Sequence, residues 1–237
     1  MGILGGTPPG RHPTGETAVI ERARPDGSSW PSWLLVGPTG SGKSPLGRLF
    51  ENRGLGGRRC RHFDFGAELR AAASERDRAS ELSETDYQVV RRSLSSGALL
   101  EDGEFPIALK VLRAFVRRKS LGEDELLVLN GLPRHIGQAR MMDEMIRMLA
   151  VVSLEAPPEV VRERIRLNVG GDRLDRPDDD LQAVRKKLVI FQMRTRPLIE
   201  YYENREIPVF RISVGPLMTA PEMYNLIVPA AVERGIL

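Results

Sequence analysis

From Trp33 onward, short apolar runs alternate with longer stretches of helical period. The runs at 33–36, 59–63, 125–129, 151–154 and 209–213 are each bounded by turn residues or charge, as strands buried in a parallel sheet are. Helical spacing covers 44–53, 66–79, 84–95, 104–119, 136–149, 158–167, 180–204 and 221–234. Strand–helix alternation of this kind predicts an α/β fold, with a five-stranded parallel sheet and helices on both faces. The stretch between the second and third strands is too long for one crossover helix. It predicts a helical subdomain at 66–100 above the C-terminal edge of the sheet, where ligands bind in such folds. Ahead of the domain at 33–237, residues 1–32 read as an arm. Positions 1–16 are rich in Gly and Pro without an apolar period and are expected to be poorly ordered, 17–24 to be extended, and 25–32 to be a turn-rich connector.

One motif turns this pattern into chemistry. Gly37-Pro38-Thr39-Gly40-Ser41-Gly42-Lys43-Ser44 satisfies G-x-x-x-x-G-K-S, follows the first strand and opens a helix. Glycines let the backbone wrap tightly enough for successive N–H groups to face phosphate oxygens. The helix start adds its positive dipole end. Lys43 is expected to reach the β and γ phosphates, and the Ser44 hydroxyl to ligate Mg²⁺. Pro45 is tolerated because the first helical turn has unpaired N–H groups. The motif therefore predicts a P-loop NTPase-type three-layer fold that binds ATP with Mg²⁺.

Composition sets limits around that reading. An apolar share of 41% and a charged share of 28% are ordinary for a globular protein. The net charge is +3, with thirty Arg against five Lys spread along the chain. Scattered Arg suits phosphate recognition, and this excess is too mild to predict nucleic-acid binding. The single cysteine, Cys60, excludes an intrachain disulfide and a cysteine metal cluster; it is expected to be a buried, inert thiol. No signal-peptide core and no run of about 18 apolar residues occur, so a cytoplasmic monomer without membrane contact is expected.

Three further stretches carry a family resemblance. Phe63-Asp64-Phe65-Gly66-Ala67-Glu68-Leu69-Arg70 is similar to the S-T-G-D-L-L-R segment of the adenylate kinase family of nucleoside monophosphate kinases. Leu129-Asn130-Gly131-Leu132-Pro133-Arg134-His135-Ile136-Gly137-Gln138 resembles its L-D-G-F-P-R-T-x-x-Q. Within 158–202, Arg164 and Arg176-Pro177-Asp178-Asp179 resemble its lid arginine and R-x-D-D signature, and Pro197-Leu198-Ile199-Glu200-Tyr201-Tyr202 its P-L-I-x-Y-Y helix end. The similarity spans 33–215.

The resemblance implies a kinase with a short lid at 167–176 and no zinc ribbon. It places Arg70 and Arg134 on the acceptor phosphate, Gly66 and Gly131 in the same substrate site, and Gln138 on the acceptor base. It brings Arg164 and Arg176 to the transferring phosphoryl group when the lid closes, with Gly170 and Gly171 lending mobility. It places Ser44 and position 130 on the metal. The chain departs from the family at Phe65 and Ala67, at Asn130 (usually Asp), and at Asn168 and Lys187 (both usually Arg). His135 is expected to be partly exposed, with no catalytic role. Three functions stay open: a nucleoside monophosphate kinase with AMP the first acceptor, a nucleotide-binding module with little turnover, and a P-loop kinase of a small non-nucleotide metabolite.

Overall fold

Five parallel strands form one sheet. They are β1 (Trp30–Val36), β2 (Cys60–Asp64), β3 (Leu126–Asn130), β4 (Ile146–Glu155) and β5 (Val209–Ser213), ordered β2-β3-β1-β4-β5. The computed structural model describes residues 29–75, 81–171 and 181–237, so the expected arm at 1–16 and extended segment at 17–24 lie outside it. The helices are α1 (Lys43–Arg53), α2 (Phe65–Glu75), α3 (Glu84–Ser96), α4 (Phe105–Lys119), α5 (Ile136–Met142), α6 (Pro158–Leu167), α7 (Leu181–Ile190), α8 (Pro197–Glu203) and α9 (Ala220–Glu233).

Strand alternation decides which helices cover which face. Trp33 and Leu35 of β1, with Leu126 and Val128 of β3, pack under Leu46 and Phe50 of α1 and Met223, Ile227 and Ala231 of α9. Leu34 and Val36, with Leu127 and Leu129, meet α4, α5 and α8 on the other face. Both sets are buried, which is why the central strands read as continuous apolar runs. Trp33 stacks on Phe210 at 5.6 Å between centroids and meets Phe50 edge-on at 6.2 Å. That packing, worth roughly 1.5–3 kcal/mol per large apolar side chain, fixes α1 and so aims its N-terminus.

Three expectations need correction. Residues 30–32, expected in a connector, belong to β1, where Trp30 and Ser32 pair with Ile146 and Met148 of β4. The helix expected over 136–149 ends at Met142, and Ile146 to Leu149 enter β4. Met142, Met145, Ile146 and Leu149 have helical spacing, but pairing of Ile146, Arg147 and Met148 with β1 satisfies backbone groups there and wins. The helix expected over 180–204 stays helical over the described 181–203 but is not one regular α-helix. A π-helical turn at Phe191–Thr195 separates α7 from α8, closed by Arg196 N–H donating to the Phe191 carbonyl at 2.8 Å. Pro197 lacks the N–H that a continuous helix would use there. Of the helix expected at 66–79, the described part runs through α2.

Cys60 is buried in β2, and burial pushes its thiol up to about 12. Its thiolate is therefore a negligible fraction at neutral pH. Labelling with a thiol reagent should be silent in the folded protein and reach one equivalent in denaturant; rapid native labelling would contradict this packing. Among the described residues, no helix is long and apolar enough to cross a membrane.

Candidate active site

The strand order reverses beside β1, so the crevice above the C-terminal ends of β1 and β3 is the expected ligand position. The chain leaves β1 into the glycine loop there. Gly40 and Gly42 hold φ of 77° and 101°, in the left-handed region that favours glycine. At Gly37 the constraint is space, because a Cβ would stand 2.8 Å from the Leu154 carbonyl oxygen of β4. The loop thus turns against β4 and delivers α1 with its N-terminus toward the crevice. The Lys43 ammonium donates to the Gly37 and Pro38 carbonyls at 2.7 and 2.8 Å. It lies across the loop mouth, and in this arrangement bonds to the loop itself.

Behind Lys43, three side chains meet. Ser44 Oγ donates to Asp64 Oδ2 at 2.5 Å. Asn130 Nδ2 donates to Ser44 Oγ at 3.1 Å and to Asp64 Oδ2 at 2.9 Å. Asp64 Oδ1 accepts from the Ala67 N–H in the first turn of α2 at 3.1 Å. Asp64 and Asn130 are register partners at the ends of β2 and β3. Hydroxyl and carboxylate oxygens are donor types of a hard cation, so Ser44 and Asp64 fit Mg²⁺, whereas Asn130, expected on the metal, turns its Nδ2 toward both. Sequence reading passed over Asp64. Its signal was its place as the last residue of the second strand, beside position 130 once register is known.

Across the cleft stand the residues expected on the acceptor side. Gly66, Arg70, Gly131, Arg134, Gln138 and Lys187 line the same cavity as Gly37, Gly40, Gly42, Lys43 and Ser44. Arg70 is exposed on α2. The Arg134 side chain is half-buried but densely surrounded, and desolvation lowers its guanidinium to about 10. Among the described residues its guanidinium has no hydrogen-bond or ion-pair partner. Leu69, Leu94, Leu99, Leu100 and Phe65 give the cavity an apolar wall.

Several expected roles change in this geometry. Gln138 is fully buried, with Oε1 accepting from the Arg134 N–H and Nε2 donating to the Leu100 carbonyl, both at 2.8 Å. It acts as a strut between the loop after β3 and the loop before α4 while also lining the cavity. His135 is buried, not partly exposed. It caps α5 through the Gln138 N–H, and its Nε2 lies 3.2 Å from the Leu100 carbonyl. Arg164 is buried rather than carried in by a lid. Its Nε donates to the Gly40 carbonyl at 3.0 Å, and its NH1 to the Gly215 and Met218 carbonyls at 2.8 and 2.7 Å. It pins the glycine loop to the segment after β5. Asn168 is the left-handed C-cap of α6, φ 47° and ψ 42°, a conformation that Asn tolerates better than Arg. Arg176, the R-x-D-D stretch and lid positions 172–176 lie outside the described residues.

A parallel sheet whose first strand feeds a phosphate-cradling loop, facing a guanidinium across one cleft, defines a P-loop phosphotransferase. The family model described as "AAA domain" matches residues 34–185. The chain is also similar to adenylate kinases. It is 33% identical over 178 residues to one from Synechococcus sp. (strain CC9311), covering 73% of this chain and 84% of that protein. It is 32% identical over 178 residues, with the same coverage, to one from Synechococcus sp. (strain WH7803). To one from Streptomyces coelicolor it is 26% identical over 216 residues, covering 78% of this chain and 92% of that protein. The chain belongs to the adenylate kinase family. It is accordingly an ATP-dependent phosphotransferase of the nucleoside monophosphate kinase type, working with Mg²⁺.

Proposed function

We propose that this chain transfers the γ-phosphoryl group of MgATP to a nucleoside monophosphate, with AMP the preferred acceptor. The observation that carries the proposal is Arg134, a guanidinium enclosed in the cavity of the phosphate loop without a partner among the described residues. Enclosing a cation without a counter-charge is costly unless an anion completes the site. A monophosphate matches the planar fork of Arg in charge and geometry. Arg70, exposed on the same cavity, supplies a second guanidinium for that group.

The chemistry asks little of covalent catalysis. In-line transfer needs two nucleotides held in register and the developing charge neutralised. The loop N–H groups, the N-terminus of α1 and Lys43 hold the donor phosphates, while Arg134 and Arg70 orient the acceptor phosphate. When bound, Mg²⁺ would supply charge neutralisation at the donor phosphates, and Ser44 with Asp64 would hold it. Arg164 keeps the loop in shape through Gly40. Arg176 is assigned to the transferring group on the resemblance.

AMP is preferred on two grounds. The similar proteins named above are adenylate kinases, and the apolar wall of Leu69, Leu94, Leu99 and Leu100 suits a flat purine. Steady-state kinetics with MgATP and a panel of AMP, GMP, CMP, UMP and deoxynucleoside monophosphates tests the choice. The highest kcat/KM is expected for AMP. A pyrimidine monophosphate turning over faster would overturn the base assignment, and no turnover with any member would overturn the kinase proposal.

A further inference from the structure

We infer that Asp64 is the metal-positioning carboxylate of the donor site, and that Asn130 stands beside it as its hydrogen-bond donor. The inference rests on the donor half of the function proposed above and deepens it. The family pattern keeps its acid at the end of the third strand, where this chain has an amide. The charge has not been lost from the site, because it stands one strand over. Asp64 and Asn130 are register partners, and their side chains meet at 2.9 Å with Ser44 between them and the loop.

The proton of Ser44 decides the matter. A hydroxyl has one proton and two acceptor positions. The proton is directed at Asp64 Oδ2 at 2.5 Å, and Asn130 Nδ2 approaches the oxygen from another side at 3.1 Å. One acceptor position of Ser44 is thereby left for a cation. The Ala67 N–H holds Asp64 Oδ1 at 3.1 Å, so the carboxylate is fixed at both ends. Its charge would favour a divalent ion, and its oxygens could accept from metal-bound water.

The same contacts explain the amide at 130. An aspartate there would place two carboxylates in contact about 2.9 Å apart, a like-charge pair that disfavours ionising both. Asn130 donates to Asp64 instead. Positions 64 and 130 therefore form a matched pair. Restoring the family's acid at 130 alone should harm the site, while exchanging both positions should preserve it.

The test reads metal directly, using the EPR signal of Mn²⁺ added to the protein–ATP complex. It is run on the unaltered chain, Asp64→Asn, Asn130→Asp and the double variant Asp64→Asn with Asn130→Asp. ATP affinity in EDTA serves as the control for folding and for the donor site. Asp64→Asn is expected to weaken Mn²⁺ binding at least tenfold, with ATP affinity in EDTA held within threefold. Asn130→Asp alone is expected to give no tighter Mn²⁺ binding, and the double variant to recover to within threefold of the unaltered chain. Undiminished Mn²⁺ binding by Asp64→Asn, or clearly tighter binding by Asn130→Asp alone, would overturn the inference while leaving the donor site standing. Absence of ATP binding by the unaltered chain, with and without metal, would overturn the donor site and this inference together.

Discussion

Replacing Lys43 with alanine is expected to lower kcat on the order of 10²–10³-fold, as removal of one charge-stabilising donor from a phosphoryl-transfer site does. The alternative role for Lys43 is structural, since its ammonium donates to the Gly37 and Pro38 carbonyls. Hydrogen bonds from a charged group contribute about 1.5–3 kcal/mol when dry, and less at this half-buried position. The structural loss should therefore shift the melting temperature by only a few degrees, at roughly 2–4 °C per kcal/mol for a chain of this size. Steady-state kinetics and thermal unfolding of Lys43→Ala separate the roles. A large fall in melting temperature with kcat retained would make Lys43 a strut of the loop and nothing more.

Arg134→Met is expected to separate activity from stability further still. Transfer should fall on the order of 10²-fold or more in kcat/KM for the acceptor. Stability should hold or rise, because the substitution removes an enclosed charge whose guanidinium desolvation lowers to about 10. The neighbouring contacts favour this outcome. Gln138 bonds the Arg134 backbone N–H, not its side chain, so the strut to Leu100 survives. Arg134→Lys keeps the charge and loses the planar fork, and should recover only part of the rate. The measurements are acceptor-dependence kinetics and chemical unfolding. Unchanged kcat/KM, or marked destabilisation, would mean that Arg134 holds the fold together instead of a phosphate.

The sheet and the donor loop were legible in the sequence for different reasons. Parallel strands buried on both faces leave continuous apolar runs, and the loop motif fixes its own geometry through Gly37, Gly40 and Gly42. Helix ends were less legible. The apolar spacing of Met142 to Leu149 serves a helix face and a buried strand equally, and only pairing with β1 separates them. The π-turn at 191–195 follows from Pro197, whose effect on a long helical pattern can be read locally.

At the site, identity was readable but employment was not. Arg164, Gln138 and His135 stand at positions the resemblance assigns or borders, yet the structure spends their polar groups on backbone carbonyls and N–H groups. Asn168 reads as a lost charge in sequence and serves as a left-handed helix cap in the fold. Asp64 was overlooked because its partner lies on a strand distant in sequence. β2 and β3 are parallel strands joined by a long crossover, so their spacing in the sequence does not show which residues stand side by side.

Phosphorus NMR of the protein with MgATP and AMP tests most directly whether one cleft joins donor to acceptor. The predicted result is conversion of both nucleotides to the diphosphate without accumulation of inorganic phosphate. Bound ATP with no diphosphate formed, or ATP lost only to inorganic phosphate, would contradict it.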